Sequence, residues 1–333
     1  MGPAVEAPVF FSREDVEARL TWDGCIGAVR DAMIALSDGR TRQLPRSMIG
    51  LGEGRTFALM PGALALGGYF GAKLISVFAD PGRPGRTAHE GVVVVFDGAS
   101  GRPLCMADAG AITQIRTAAA SAVATDALAR PDARTLTLLG HGHQAIAHIH
   151  AIARVRALNQ VFVWGRSIER ARAFADQAGA LVGLPVEAIA DARSAVAAAD
   201  IICTLTPSRE PILGGYWVAP GAHVNLVGSS SPASVEADQS LVVLSRYVVE
   251  SRESAQAAYA EFRLAKAAGA VDDTHIAAEI GEILAGRAPG RTRKDEITVY
   301  KSIGHVVQDL AAAAWLYNQT RPLDRGLSPG PVQ

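Results

Sequence analysis

The chain has almost no net charge. Its 32 Lys and Arg stand against 33 Asp and Glu, a formal balance of −1. No overall field therefore draws it to nucleic acid or to an anionic membrane, and any anionic ligand must be met by local basic groups. Cysteine is scarce as well. Cys25, Cys105 and Cys203 lie far apart and match neither a zinc nor a CxxC spacing. That usage suits a reducing compartment and reads the three as small buried residues rather than a site. No basic segment followed by an apolar run opens the sequence, and Glu6 stands where a myristoylation signal wants Ser or Thr. Long apolar runs are missing too: glycines and Lys73 interrupt the most apolar stretch, 58–79. The expectation is a cytoplasmic protein with no nucleic-acid or membrane partner. Internal repeats are absent, and low complexity is confined to the Pro/Gly-rich tail after Pro322.

What is present is a chain of 333 residues, 49% hydrophobic and 20% charged, long enough for two globular domains. Ser12-Arg13-Glu14-Asp15 reads as a capped helix start, and a second helical pattern over 22–38 stops at Gly39. Strand-like pieces at 46–51, 56–60, 69–78 and 91–97, separated by Gly and Pro turns, predict a mostly antiparallel sheet. From residue 111 the texture changes. An Ala-rich helix over 111–129 ends at Pro131, and strands then alternate with helices: a strand at 135–139, a helix to about Leu158, a strand at 161–164 and a helix at 168–179. Further strands are expected at 186–189, 201–204, 223–227, 247–249 and 296–300, and a last helix at 303–317. The fold class is α/β, with a Rossmann-type doubly wound parallel sheet joined to an α+β domain.

The first parallel strand runs into Gly140-His141-Gly142-His143-Gln144-Ala145, which opens a helix. The first Gly turns the chain, the second lets the backbone approach a pyrophosphate, and small Ala145 lets helix and strand pack closely. The second strand ends in Val163-Trp164-Gly165-Arg166-Ser167, with no acid until Glu169. A fold that reads NAD places Asp or Glu there, whereas a guanidinium beside a hydroxyl suits a 2′-phosphate. NADP(H) is the expected cofactor, with NAD(H) the alternative. Four histidines crowd the loop, but His141 and His143 lie in the phosphate turn, and His148 and His150 are two apart on a helix. With no CxxC or HExxH beside them, no metal is expected.

At this point the chain resembles the ornithine cyclodeaminase/mu-crystallin family over nearly its whole length. The resemblance rests on Met60-Pro61, Gly71-Ala72-Lys73, His89-Glu90-Gly91, Asp97-Gly98-Ala99-Ser100-Gly101 and Thr113-x-x-Arg116-Thr117-Ala118-Ala119. It continues through the Gly140 loop, Pro220-Gly221-Ala222-His223 and Ile297-Thr298-Val299-Tyr300-Lys301-Ser302-Ile303-Gly304. It implies a homodimer, with a substrate-binding and dimerisation domain of residues 1–117 and 310–333 and a Rossmann domain of residues 118–309. The active site would lie in the cleft between them. The family's carboxylate-binding basic residues fall on Arg46, Lys73 and Arg116. An Arg fork binds a carboxylate in bidentate fashion, and a Lys beside two Arg is pressed toward a lower pKa, so Lys73 is also the candidate proton donor. Lys73 stands out on its own terms too, because it interrupts an apolar strand and a buried Lys needs a partner or a function.

The expected cofactor set is Thr113, Arg116, Gly140, Gly142, His143, Gln144, Ala145, Arg166, Ser167, Thr204, Gly228 and Ser302. Thr113 and Ser302 read equally well as helix caps. One position departs from the cyclodeaminases of the family, whose catalytic Asp falls on Ser230 here. A hydroxyl neither pairs with an ammonium nor accepts a proton well at neutral pH. Ser230 and Arg166 together move the reading toward the family's NADPH-using ketimine reductases, with Δ1-pyrroline-2-carboxylate or Δ1-piperideine-2-carboxylate as substrate. Lys73, or a water held by Ser230, would then supply the proton. The alternatives are ornithine cyclodeamination with bound NAD, reductive amination of an open-chain 2-oxo acid, and cofactor binding without turnover.

Overall fold

The computed structural model describes residues 7–65, 68–79, 87–229 and 234–320. β1 (Val9–Phe11) leads into α1 (Arg13–Arg19) and α2 (Trp22–Ser37). The start of α1 is a closed capping box, in which Ser12 and Asp15 each accept the other's backbone N–H. Then come β2 (Arg42–Gln43), β3 (Ser47–Gly52), β4 (Arg55–Ala63), β5 (Tyr69–Ala79), β6 (Thr87–Asp97) and β7 (Pro103–Asp108). They form one sheet in the order β1-β7-β6-β5-β4-β2, with β3 also on β4, and every pairing except β1 on β7 is antiparallel. The mostly antiparallel sheet is as expected, but β1, β2 and β7 lie outside the expected strands. Val93 and Val95 in β6, and Cys105 and Ala107 in β7, are buried in alternation, which gives the sheet one apolar face.

α3 (Ala109–Leu128) crosses to the second sheet, capped by Asp108, whose carboxylate accepts the Ala111 N–H at 2.7 Å. Beyond it the chain alternates. β8 (Thr135–Leu139), α4 (His143–Ala153), β9 (Gln160–Trp164), α5 (Ile168–Val182), β10 (Val186–Ala188), α6 (Ala192–Ala197) and β11 (Ile201–Thr204) are followed by β12 (His223–Leu226) and α7 (Gln239–Leu244). β13 (Ser245–Val249), α8 (Arg252–Ala258), α9 (Ala260–Ala267), β14 (Ile276–Glu279), α10 (Ile280–Leu284), β15 (Ile297–Lys301) and α11 (Val306–Asn318) complete it. The sheet is wholly parallel, in the order β10-β9-β8-β11-β12-β15-β13-β14. Strand order reverses between β8 and β11, where a doubly wound sheet opens a crevice at its carboxyl edge. β8, β11 and β12 are buried almost throughout, as strands covered on both faces are.

Two helices tie the sheets together. α3 is buried nearly all round, and its run of alanines lets α2, α4 and α11 lie close. α11 leaves the parallel sheet and packs on α2, α3 and strands β4 to β7, so the C-terminal helix returns to the first sheet. The expected boundaries at 117/118 and 309/310 therefore fall inside α3 and α11. α4 stops at Ala153, short of the expected Leu158. Leaving the helix there swings Arg156 onto the exposed carbonyls at the end of α3. Its guanidinium donates to the oxygens of Thr125, Asp126 and Ala129 at 3.0 Å each, and of Arg130 at 3.0 Å.

Candidate active site

The turn after β8 has the form a dinucleotide phosphate needs. Gly140 sits at φ +122°, and a Cβ there would lie 2.8 Å from the Leu205 carbonyl oxygen, so only glycine fits between the two strand ends. Gly142 caps α4 with no side-chain hydrogen bond, and a Cβ on it would meet nothing within 4 Å. The first N–H groups of α4 thus face open space, and fully buried Ala145 packs the helix on the sheet. Gln144 lines the adjacent cavity, with its buried Oε1 unpartnered among the described residues. These features fit a bound dinucleotide. Two of the four histidines, His148 and His150, go elsewhere. His148 is fully buried between Ser121 Oγ (3.0 Å) and the Gln144 carbonyl (2.8 Å), with its pKa lowered to about 4 by burial, and His150 stacks on Trp22.

A cavity of about 340 Å³ opens where β5, α3 and the start of α11 meet the carboxyl ends of β11, β12 and β15. Its lining combines three cations, Arg46, Lys73 and Arg116, with the apolar side chains of Ile75, Leu205, Pro207, Val227 and Ile303. No acidic side chain lines it among the described residues. Behind Lys73 and Arg116 lies Asp309 of α11, completely buried. Its Oδ1 accepts from Lys73 Nζ at 3.0 Å and from Arg116 Nε at 3.0 Å. Lys73 also donates to Thr113 Oγ1 at 2.6 Å, and Arg116 Nη1 donates to Gln308 Oε1 at 2.8 Å. The Nη1/Nη2 edge of the guanidinium points at Gly304, where φ is +85° and a Cβ would come within 2.7 Å of both terminal nitrogens.

Lys73 is 4% exposed. Burial brings its pKa down to about 8; Arg116 and Arg46 push the same way, and Asp309 opposes them. For Asp309 burial acts upward, but the charges and hydrogen bonds of Arg116 and Lys73 outweigh it and leave the carboxyl below its ordinary value. Arg46 stands just before β3, largely solvent-exposed, and has no hydrogen bond or ion pair among the described residues. The atoms around its head and the Arg116 charge lower its pKa, but a guanidinium starts so high that it stays charged. Arg46 is an uncommitted fork beside a committed pair of cations.

The sequence profile of the ornithine cyclodeaminase/mu-crystallin family matches residues 6–322. The chain belongs to this family. It is 34% identical over 317 residues to ketimine reductase mu-crystallin of Mus musculus, covering 94% of this chain and 97% of that one. It is 33% identical over 314 residues to the Δ1-pyrroline-2-carboxylate reductase of Paracoccus denitrificans, covering 93% and 96%. Among solved structures, Thermococcus litoralis Δ1-pyrroline-2-carboxylate reductase in complex with NADH and L-proline superposes with a TM-score of 0.88 at 29% identity, covering 93% of this chain and 97% of that one.

Within this family fold, the cavity gathers Arg46, Lys73, Thr113, Arg116, Gln144, Gly228 and Ser302 from the residues singled out in the sequence. Gly140, Gly142, His143 and Ala145 form the turn beside it. Ser167 caps α5, accepting the Arg170 N–H at 3.2 Å and donating to Glu169 at 2.8 Å. Arg166, two residues past β9, is exposed and makes no hydrogen bond or ion pair among the described residues. Thr113 faces the cavity with its hydroxyl already engaged, accepting from Lys73 and donating to the Ala109 carbonyl at 2.5 Å. Ser302 donates to Glu250 Oε2 at 2.9 Å. Thr204 does not belong to the set. Both faces of β11 are covered, and its fully buried hydroxyl donates to Glu236 at 2.7 Å. Ser230 lies outside the described residues.

Sequence reasoning missed the buried acids. Glu236 gathers the turns after β11 and β12, accepting from the Thr206 N–H and hydroxyl and the Ser229 N–H at 2.6 to 3.0 Å. Glu250 holds Ser302 and the Ile303 N–H. Asp309 holds the two cations. Asp309 is a charge inside an apolar run, the same signal that marked Lys73, whereas Glu236 and Glu250 stand in mixed polar sequence that gives no such mark.

Proposed function

We propose that this protein reduces the C=N bond of a small cyclic 2-imino acid, Δ1-pyrroline-2-carboxylate or Δ1-piperideine-2-carboxylate, to the cyclic amino acid with NADPH. The observation that carries the reading is the lining of the cavity at the carboxyl edge of the parallel sheet, which joins three cations to apolar side chains and, among the described residues, has no acid. The cations suit the substrate carboxylate and the apolar side chains suit its ring. The uncommitted Arg46 fork and the Nη2 of Arg116, which no acceptor among the described residues engages, take the carboxylate. An ammonium carries three donors. Thr113 and Asp309 accept two of those of Lys73, which leaves one for the substrate nitrogen. A bound dihydronicotinamide supplies the hydride. Lys73 supplies the proton, so the imine nitrogen becomes a secondary amine and Lys73 becomes neutral. Holding the carboxylate at two points fixes the imine carbon and makes the transfer effectively unimolecular.

NADP(H) rather than NAD(H) is supported by Arg166, exposed and uncommitted beyond β9 where an NAD reader carries an acid. Ornithine cyclodeamination is disfavoured because the described cavity wall offers no carboxylate to a second ammonium. A homodimer is supported by β3, an edge strand that pairs only with β4 among the described strands and exposes Met48, Ile49 and Leu51. Oxidation of NADPH and NADH by the purified protein, followed over both cyclic imino acids, ornithine, and a 2-oxo acid with methylamine, tests the reading. NADPH-dependent loss of either imino acid is the expected result. Release of proline and ammonia from ornithine, with no imine reduced, would overturn it.

A further inference from the structure

Asp309 closes an ion pair, but its geometry asks for more explanation than that. One oxygen, Oδ1, accepts from Lys73 of β5 and Arg116 of α3 at 3.0 Å each, while Oδ2 is buried with no partner among the described residues. A buried carboxylate needs one counter-charge. Two stand on the same oxygen, and they differ in kind. The guanidinium does not give up a proton in a protein; the ammonium does. When Lys73 becomes neutral, Arg116 stays, and Asp309 is never left as a bare buried anion. While Lys73 is charged, its Asp309 contact is shared, so the carboxylate supports the ammonium without locking the proton in place.

We propose that Asp309 is a positioning residue of the reduction site, a shared acceptor that aims Lys73 and holds it protonated until the proton is delivered, with Arg116 as the permanent counter-ion. The proposal rests on the reading of Lys73 as the proton donor. The step balances: the N–H bond of the ammonium breaks, the imine nitrogen takes that proton as its carbon takes the hydride, Lys73 is left neutral, and Arg116, charged throughout, remains as the counter-ion of Asp309. The charged groups acting on Lys73 are Asp309 from α11, Arg116 from α3 and Arg46 from before β3. Asp309 is also felt by His305, whose pKa burial lowers, and by Cys25 of α2, whose thiol burial pushes up to about 12, so both are neutral in the working range. Glu250, from the end of β13, reaches the pair through Gln308, whose Nε2 it accepts at 3.4 Å.

The pH profile of kcat/KM tests this. A donor must be protonated, so the wild-type rate of reduction falls as pH rises through the Lys73 pKa of about 8. Asp309→Asn keeps the size and removes the charge that opposes deprotonation. It is expected to move the alkaline limb about 1–3 units toward acid and to cut activity at neutral pH about tenfold or more, with KM for NADPH changed less than about twofold. Asp309→Glu should bring the limb part of the way back. A residue that merely supported the fold would lower activity at every pH and leave the limb in place, and an unmoved limb in Asp309→Asn overturns the proposal. If Asp309→Asn fails to bind NADPH, Thr113→Val decides instead. It removes the other acceptor of Lys73, so a limb within about half a unit of wild type supports Asp309 as the holder, and a shift of more than about one unit overturns it. A wild-type protein with no imine reduction, or no limb near pH 8, removes the underlying reading before any variant is made.

Discussion

Arg166 and Asp309 carry the residue-scale argument from opposite ends, one legible in the sequence and the other hidden in it. Arg166 was marked by what is missing around it: no acid follows β9 until Glu169. Its guanidinium is exposed and makes no hydrogen bond or ion pair among the described residues, as the proposed contact with a 2′-phosphate requires. Arg166→Asp removes a charge-assisted contact and adds a repulsion. It should raise KM for NADPH about ten- to a hundredfold, with KM for NADH held or lowered. Steady-state kinetics with both cofactors would measure this, and an unchanged NADPH preference would reduce Arg166 to a solvated strand-end residue. Asp309 gave no such mark by motif, since it sits in the helical run Val306–Asn318 and has no spacing pattern with Lys73 or Arg116. Only Gln308 and Asp309 break the apolar first turns of α11, and a charge in an apolar helix needs a partner by the same reasoning that singled out Lys73. Which partner it has is set by tertiary packing, since Asp309 and Arg116 are 193 positions apart in the chain. Thr204 errs in the other direction. A strand-end hydroxyl looks available in sequence, and burial on both faces of β11 commits it to Glu236.

Elements were legible where local chemistry and tertiary environment agree. β8 and β11 match their expected limits because short apolar runs bounded by turns have no other way to bury both faces. β1 and β2 are too short to show a period, β7 begins with Pro and continues through weak strand formers, and the Ile-Ala-Ala-Glu of β14 favours a helix until β13 pairs with it. The turn between β8 and α4 offers a test at this scale. At Gly142 the φ of −84° is open to any residue, and no atom stands within 4 Å of a Cβ. Gly142→Ala should weaken the cap by about 0.5–1 kcal/mol and gain about 0.4–1 kcal/mol from a stiffer unfolded chain. The two effects offset, so Tm should stay within a few degrees. The methyl group, however, stands where a pyrophosphate must approach, and NADPH affinity should fall about tenfold or more. Calorimetric melting and NADPH titration separate the two effects. A variant that binds NADPH as well as wild type would remove the phosphate from this turn.

At the scale of the whole molecule, the two sheets divide the work and two helices couple them. The antiparallel sheet supplies Lys73, the parallel sheet supplies the turns, and α3 and α11 bring Arg116 and Asp309 to the seam. That arrangement leaves the far edge of the antiparallel sheet without a role inside one chain. β3 is exposed along its whole length, with Met48 62%, Ile49 59% and Leu51 47% in solvent and Leu44 nearby at 68%. A bare apolar edge strand is a hazard unless something covers it, and a second copy related by a two-fold axis covers it with the same surface. Four such side chains per subunit make eight across the axis. At about 1–2 kcal/mol each for the area still exposed, they match an association cost of about 4–15 kcal/mol. We therefore expect a dimer at micromolar concentration by sedimentation velocity, and a monomer for the double variant Met48→Glu with Ile49→Glu. Both positions are exposed in the single chain, so the variant should fold and bind NADPH. A wild-type protein that sediments as a monomer, or a double variant that remains a dimer, would place the subunit contact, if there is one, on another face.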